Sequence, residues 1–389
     1  MPTSMPAMPD ARNWFDSPAE YRRRRFPACR REGIELCLED GRRLINFAGN
    51  DYLGLSTHEA VCMGARGALA DAVGSGASRL VSGDDPIMHR LEAKLAGWKG
   101  FEGCLLVGSG MLANIGLLQA LAGRHDHIFS DRLNHASLVD GARLSGASVH
   151  RFAHLDMAHL AGQLARHPAE RRMIVSDGVF SMDGDCADIP ALLALAEAHD
   201  TLLVIDDAHG TGTVGSDGRG LTALHGVAGH PRLIEVGTFG KAFGAYGAFI
   251  LGPAELIEGL RQRQRTMIYS TALPVAVIAA AETALALIQR GGPVQQLHRQ
   301  LARFRAGIEG LGFMPSSTAI QPLLIGEDAA ALAMAARLAD AGFFVPAIRP
   351  PTVPQGTARL RITLSAAHSN EQIDALIAAL KACLVPGDV

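Results

Sequence analysis

Lysine is nearly missing from this chain. Only Lys94, Lys99, Lys241 and Lys381 occur in 389 residues, and arginine carries almost all of the positive charge. The formal net charge is −3, so no polyanion-binding field is implied and no nucleic-acid partner is expected. No apolar stretch reaches the length that spans a bilayer, so no membrane partner is expected either. The six cysteines (Cys29, Cys37, Cys62, Cys104, Cys186 and Cys383) show no CxxC spacing and no metal-like pairing with histidine. They read as reduced thiols of a cytosolic protein. Residues 1–10 are rich in Pro and Met and lack the basic start and apolar core of a signal peptide, which agrees with a cytoplasmic location. One local excess of charge, Arg22-Arg23-Arg24-Arg25, reads as a solvated face or as a basic arm over a site for an acidic substrate.

What is present is an alternation of short apolar runs and helical patterns. Cys104–Val107, Met173–Val175, Leu202–Ile205, Ile234–Val236 and Gly247–Leu251 are strand-like, with helical stretches such as Leu112–Leu121 and Ile189–His199 between them. Runs that are apolar throughout and separated by helices predict a mostly parallel sheet covered on both faces, an α/β domain. After about Pro274 the pattern changes to longer helices (Ala276–Gln289, Leu297–Leu311), three strand candidates (Ile320–Ile325, Phe343–Ile348, Arg359–Leu364) and a last helix near Asn370–Leu384. The expected division is an N-terminal arm with helix and hairpin over 1–45, a large α/β domain over 46–280, and a smaller α+β domain over 281–389.

Polar residues cluster at the C-terminal ends of the candidate strands, where open α/β sheets bind ligands. Lys241 lies in the glycine-punctuated turn Gly237-Thr238-Phe239-Gly240-Lys241-Ala242-Phe243-Gly244, after the run Leu233–Val236. A lysine amine forms an imine with an aldehyde and arginine cannot. The other three lysines sit in polar-apolar helical patterns, where a solvated cation is ordinary. Gly108-Ser109-Gly110-Met111 is a strand-to-helix turn with free backbone N–H groups, an anion site or a plain turn. Asp206, at the tip of an apolar strand, needs a partner, and a pyridinium N–H would serve. His209 follows three residues later; the pair also reads as a helix N-cap with a satisfied histidine. A metal reading of Asp206, Asp207, His209 and His135 lacks the short-range carboxylate–histidine clusters of metal motifs, and no metal is expected. His135, in a polar loop, would stack on a planar ring, and Ser181 would bond ring or phosphate oxygens. Together these groups meet the requirements of pyridoxal 5'-phosphate acting as an electron sink.

The ordered segments GSGMLAN, DRLNHASLVDGARLSG, SDGVFSMDGD, VIDDAHGTGTVG, TFGKAFG and IYSTALP resemble the α-oxoamine synthases. These are fold-type I pyridoxal-phosphate transferases that join an amino acid to an acyl thioester with loss of carbon dioxide. The resemblance runs from about Arg22 to near the C-terminus. The tail Ala347–Arg361, with Ile348-Arg349-Pro350-Pro351, is similar to the branch that uses L-alanine and pimeloyl-CoA or pimeloyl-acyl-carrier protein. The resemblance implies that Lys241 carries the cofactor and moves the α-proton, and that Asp206 pairs with the ring nitrogen. It places His135 on the ring, His209 at the ring oxygen, and Ser181, Thr238, Gly110 and Met111 at the ring or phosphate. Arg349 would clamp the amino-acid carboxylate, with His135 and Asn50 nearby, and Arg23 and Thr352 would face the acyl substrate. It further implies a homodimer with interfacial active sites. An aromatic residue usually follows the cofactor-loop glycine where this chain has Met111. Two alternatives stay open: a sister enzyme such as glycine C-acetyltransferase, and a cofactor-binding subunit without catalysis.

Overall fold

The computed structural model describes residues 28–384 together with Trp14. Arg23, the arginine run around it and the expected N-terminal helix lie outside the described residues. Strands β1 (Cys29–Glu32), β2 (Glu35–Leu38) and β3 (Arg43–Asn46) make an antiparallel meander. The main sheet holds β4 (Gly103–Val107), β5 (His127–Asp131), β6 (Ser148–Phe152), β7 (Arg172–Asp177), β8 (Leu202–Asp206), β9 (Leu233–Thr238) and β10 (Ala248–Gly252). Their order is β4-β10-β9-β8-β7-β5-β6, parallel except for β10, which runs antiparallel to both neighbours.

The uniformly apolar strands bury both faces, as their sequences predict. Leu105, Val107, Ile128, Met173, Val175, Val204, Ile234, Val236 and Ile250 pack into one core. Their neighbours Leu106, Phe129, Ile174, Leu203, Ile205 and Phe249 pack into the core on the opposite face. Helices start where the chemistry allows. Asp85 accepts from the Ile87 N–H at 2.9 Å ahead of Pro86, and Asp188 accepts from the Ala191 N–H at 3.1 Å ahead of Pro190.

Beyond the main sheet, the helices Val275–Gln289 and Gly292–Gly307 precede β11 (Ile320–Gly326), β12 (Phe343–Phe344), β13 (Ala347–Ile348) and β14 (Ala358–Thr363). β11, β14 and β13 form a small antiparallel sheet, whereas β12 pairs in parallel with β3. The expected single strand Phe343–Ile348 is therefore two short strands in different sheets, parted at Pro346, which has no N–H to give to a ladder. The helix Asn370–Leu384 closes the described chain. No single helix among the described residues is long and apolar enough to cross a membrane, although the bent pair Val275–Gln289 and Gly292–Gly307 passes by length and composition.

Candidate active site

The C-terminal ends of the parallel strands deliver their polar residues to one cavity of about 180 Å³. Gly110, Met111, Asn114, His135, Asp177, Ser181, Asp206, His209, Thr238 and Lys241 all line it.

Lys241 hangs from the loop joining β9 to β10. That loop is tied by the Phe239 N–H to Gly247 O (2.9 Å), the Ala245 N–H to Phe239 O (2.9 Å) and the Gly244 N–H to Lys241 O (2.9 Å). Phe239 and Phe243 are fully buried and meet Phe249, at 5.2 and 6.3 Å between ring centroids. Gly244 has φ +63°, and an added Cβ there would lie 2.1 Å from the Ser56 nitrogen, so only glycine fits. A chain poor in aromatics thus spends three phenylalanines on anchoring one lysine. Lys241 keeps part of its surface open to the cavity, but desolvation lowers its pKa to about 8, against the attraction of Asp206 and Asp177.

The opposite wall is acidic. Asp206 ends β8 and is 8% exposed. Its carboxylate accepts from Asn114 Nδ2 at 2.6 Å and from the Ala208 N–H at 3.0 Å. Asp177 ends β7 directly beside it in register, and burial with the adjacent Asp206 charge pushes its pKa well up. His135 is the N-cap of the helix Ala136–Ser145. Its Nδ1 accepts from the Ser137 N–H at 3.2 Å, and its own N–H donates to Asp177 Oδ2 at 3.1 Å. Desolvation on the cavity wall lowers the His135 ring and puts His209 well below the ordinary histidine value. The Tyr52 hydroxyl lies 2.7 Å from His209 Nδ1 and 3.2 Å from Asn50 Oδ1. Thr238 Oγ1 donates to Gly247 O at 3.0 Å.

A second, larger cleft of about 950 Å³ shares Ser181 with this cavity. It is lined by three arginines, Arg132, Arg151 and Arg359, with His154, Asp183 and Thr352 among others. His154 sits between Asp131 (3.0 Å) and Asp185 (2.9 Å); burial opposes its charge, but the two carboxylates win and raise its pKa to about 9. β14 braces the rim: Arg359 pairs with Asp183, and Arg361 donates to Ser181 O and to Asn50 Oδ1.

The structure brings together Gly110, Met111, His135, Ser181, Asp206, His209, Thr238 and Lys241, and puts Thr352 on the adjoining cleft. Asn50 is exposed and joined to the site through Tyr52. Arg349 is half-buried, just past β13, and lines neither cavity. Asp207 turns away: it is fully buried beside Lys99, which removes it from the metal reading. Lys99 is the clearest correction. Expected as a solvated cation, it is fully buried, paired with Glu235 (2.5 Å) and Asp207 (3.5 Å) and bonded to Thr211 Oγ1 (3.1 Å). The motifs assign no role to Asn114, Tyr52, Asp177 or Arg361. Asp177 had a signal, an acid at the tip of an apolar run, the same feature that marks Asp206.

The cavity fits pyridoxal phosphate on its own geometry. A Cβ at Gly110 would meet nothing nearer than Thr238 at 3.9 Å, so the glycine leaves open the space beside the first N–H groups of the helix Gly110–Leu121, where an anion is favoured. An amine, a carboxylate and a ring-sized histidine face the same space. The class I and II aminotransferase family model matches residues 42–380. The chain is 48% identical to 8-amino-7-oxononanoate synthase 1 of Polaromonas sp. (strain JS666 / ATCC BAA-500), over 95% of this chain and 94% of that one. It is 50% identical to 8-amino-7-oxononanoate synthase of Methylococcus capsulatus, over 88% and 89%.

The chain belongs to the 8-amino-7-oxononanoate synthases, within the class I and II aminotransferase family.

Its fold also matches a serine palmitoyltransferase from S. paucimobilis solved with bound PLP, with TM-score 0.86, 28% identity and 92% of each chain covered. The family is one of pyridoxal-phosphate-dependent acyltransferases, so the cofactor and fold type expected from the ordered motifs stand.

Proposed function

We propose that this enzyme condenses L-alanine with a pimeloyl thioester to 8-amino-7-oxononanoate, releasing carbon dioxide and the carrier thiol, in biotin biosynthesis. The observation that carries the reading is the juxtaposition of the Lys241 amine and the Asp206 carboxylate in one cavity, which shares Ser181 with a larger cleft bearing Arg132 and Arg151. Pyridoxal phosphate, when bound, supplies an electron sink for the bonds made and broken at the alanine α-carbon.

The chain's residues do the rest. Lys241 holds the cofactor through its amine and, once displaced by alanine, takes the α-proton. An amine held near pKa 8 is partly unprotonated at neutral pH, as that task requires. Asp206, fixed by Asn114 and the Ala208 N–H, keeps a proton on the ring nitrogen. His135 covers the ring and reaches the alanine carboxylate, and His209, oriented by Tyr52, bonds the ring oxygen. Gly110 and Met111 N–H groups, Thr238 and Ser181 hold the phosphate and ring edge. Arg349 and Asn50 receive the alanine carboxylate, and Thr352 and Arg23 face the acyl chain. The arginines of the larger cleft suit the phosphates of coenzyme A or of a carrier-protein arm. We further propose a cytoplasmic homodimer whose interface covers the cavity mouth.

Product mass spectrometry decides. Alanine, glycine and serine are each offered with pimeloyl, acetyl, succinyl and palmitoyl thioesters. The expected product comes from alanine and pimeloyl. A preference for glycine with the acetyl thioester would make the enzyme a glycine C-acetyltransferase instead, and no product from any pair would indicate a cofactor-binding subunit without catalysis.

A further inference from the structure

Three histidines converge on a part of the sheet that the active site does not use. His127 opens β5 and His150 lies in the middle of the edge strand β6. The register pairs His127 with Ser148 and Phe129 with His150, so both rings stand on one face, a diagonal step apart. His167 immediately follows the helix Met157–Arg166 and lies against the same two rings. His150 Nε2 is 2.9 Å from His127 Nδ1, and the His150 and His167 rings stack at 3.9 Å. One nitrogen from each ring lies within 4.8 Å of the other two, and all three side chains are half-buried.

We propose that His127, His150 and His167 bind one divalent transition-metal ion of the zinc class. The donor set is imidazole alone, without thiolate or carboxylate. That favours Zn²⁺, Ni²⁺ or Cu²⁺ over the oxygen-seeking Mg²⁺ and Ca²⁺. Zinc–nitrogen bonds of about 2.0–2.1 Å in a tetrahedron set the nitrogens about 3.4 Å apart. The His127–His150 pair opens by about half an ångström to reach that spacing, and the His167 ring turns out of its stack to bring its nitrogen in. Three protein ligands leave the fourth position to water.

The surroundings bear on the charge. His167 ends a helix, so the negative end of the helix dipole meets the ion. Arg172 pairs with His127 in register and opposes a cation, but its guanidinium already donates to the carbonyls of Leu164 and His199. Arg171 is held by Asp126 at 2.9 Å. The site begins at the N-terminal end of β5, whereas the cofactor cavity is built from the C-terminal strand ends. Its ion therefore clips the edge strand β6 and the helix Met157–Arg166 to β5 and takes no part in the condensation.

The test uses the cofactor-loaded enzyme with ZnCl₂ and, separately, CoCl₂. Equilibrium dialysis should give one zinc per chain, and cobalt should show the visible absorption of a low-coordinate nitrogen site. His150→Ala and His167→Ala should each weaken zinc binding by ~10-fold or more, since losing a ligand costs at least what losing its outer-shell support does. Zinc should raise the melting temperature of the wild type and not of those variants. His225→Ala, on an exposed histidine elsewhere, should bind like the wild type. Less than stoichiometric zinc, or zinc retained in both ligand variants, overturns the proposal. Turnover of the variants with alanine and pimeloyl thioester should stay at the wild-type level; a loss of turnover with zinc binding intact would also overturn it.

Discussion

Lys241 feels opposing pressures. Desolvation disfavours its charge, and the carboxylates of Asp206 and Asp177 favour it; the balance leaves the amine near pKa 8, below the 10.5 of a free lysine. Between those two values the unfolded chain binds more protons than the folded one, so this residue makes stability rise with pH across that window. The same shift sets reactivity. The rate at which apo-protein captures pyridoxal phosphate should climb with a midpoint at about pH 8. Asp206→Asn removes the largest attraction and should lower that midpoint further. A midpoint in the ordinary lysine range would refute the assignment. Borohydride trapping should mark Lys241 alone, because the amine of Lys99 is saturated by Glu235, Asp207 and Thr211. Arg349 makes a separate case. If its fork reads the alanine carboxylate, Arg349→Lys should weaken alanine binding by ~1–3 kcal/mol with cofactor content unchanged. Spectral titration with alanine measures this, and cofactor loss with intact alanine affinity would place Arg349 in the fold instead.

Elements differ in how plainly the sequence announces them. β7 and β8 carry continuous apolar runs because both their faces are buried, β9 is broken only by the buried Glu235, and the helix Asn370–Leu384 has the bounds its periodicity predicts. The edge strand β6 went unread because Ser148, His150 and Arg151 break any apolar run, as an exposed edge allows. Lys99 shows the other limit. Helical periodicity describes its own helix, Pro86–Lys99, but the partners that bury it lie more than 100 residues away in β9 and in the loop after β8. The motifs named most of the cavity wall, whereas Asn114 and Tyr52 act through side chains brought in by packing. The Lys99 network ties that loop, which begins at Asp207 and carries His209, to the sheet. Lys99→Met strands two buried carboxylates and should cost ~3–5 kcal/mol of stability. Urea unfolding of the cofactor-loaded enzyme measures it, and a loss under ~1 kcal/mol would mean that the network is dispensable. Gly244→Ala should cost ~2 kcal/mol or more by the same measurement, since it meets both a positive φ and the Ser56 backbone.

At the scale of the whole molecule, the four most exposed large apolar side chains among the described residues lie on two neighbouring segments. Val73, Leu80, Val81 and Tyr269 are 82, 74, 78 and 73% exposed. The two segments carrying them are joined: the Ala272 N–H donates to Ala77 O at 2.9 Å, and Ser75 Oγ donates to Ala272 O at 2.5 Å. Thr266 Oγ1 donates to Leu112 O at 2.7 Å, next to Met111, itself 44% exposed on the cavity wall. Exposed apolar side chains on joined segments suit the interface of the proposed homodimer. In the proposed homodimer a second copy seated there would cover the mouth of the cofactor cavity, and assembly and cofactor retention would be coupled. Leu80→Glu with Val81→Glu puts like charges into both halves of that contact. Light scattering after gel filtration should then show a monomer against a dimer for the wild type, and the monomer should release pyridoxal phosphate faster than the wild type on dilution. A dimer that survives both substitutions places the interface elsewhere, and a monomer that holds its cofactor as tightly as the dimer separates the interface from the site.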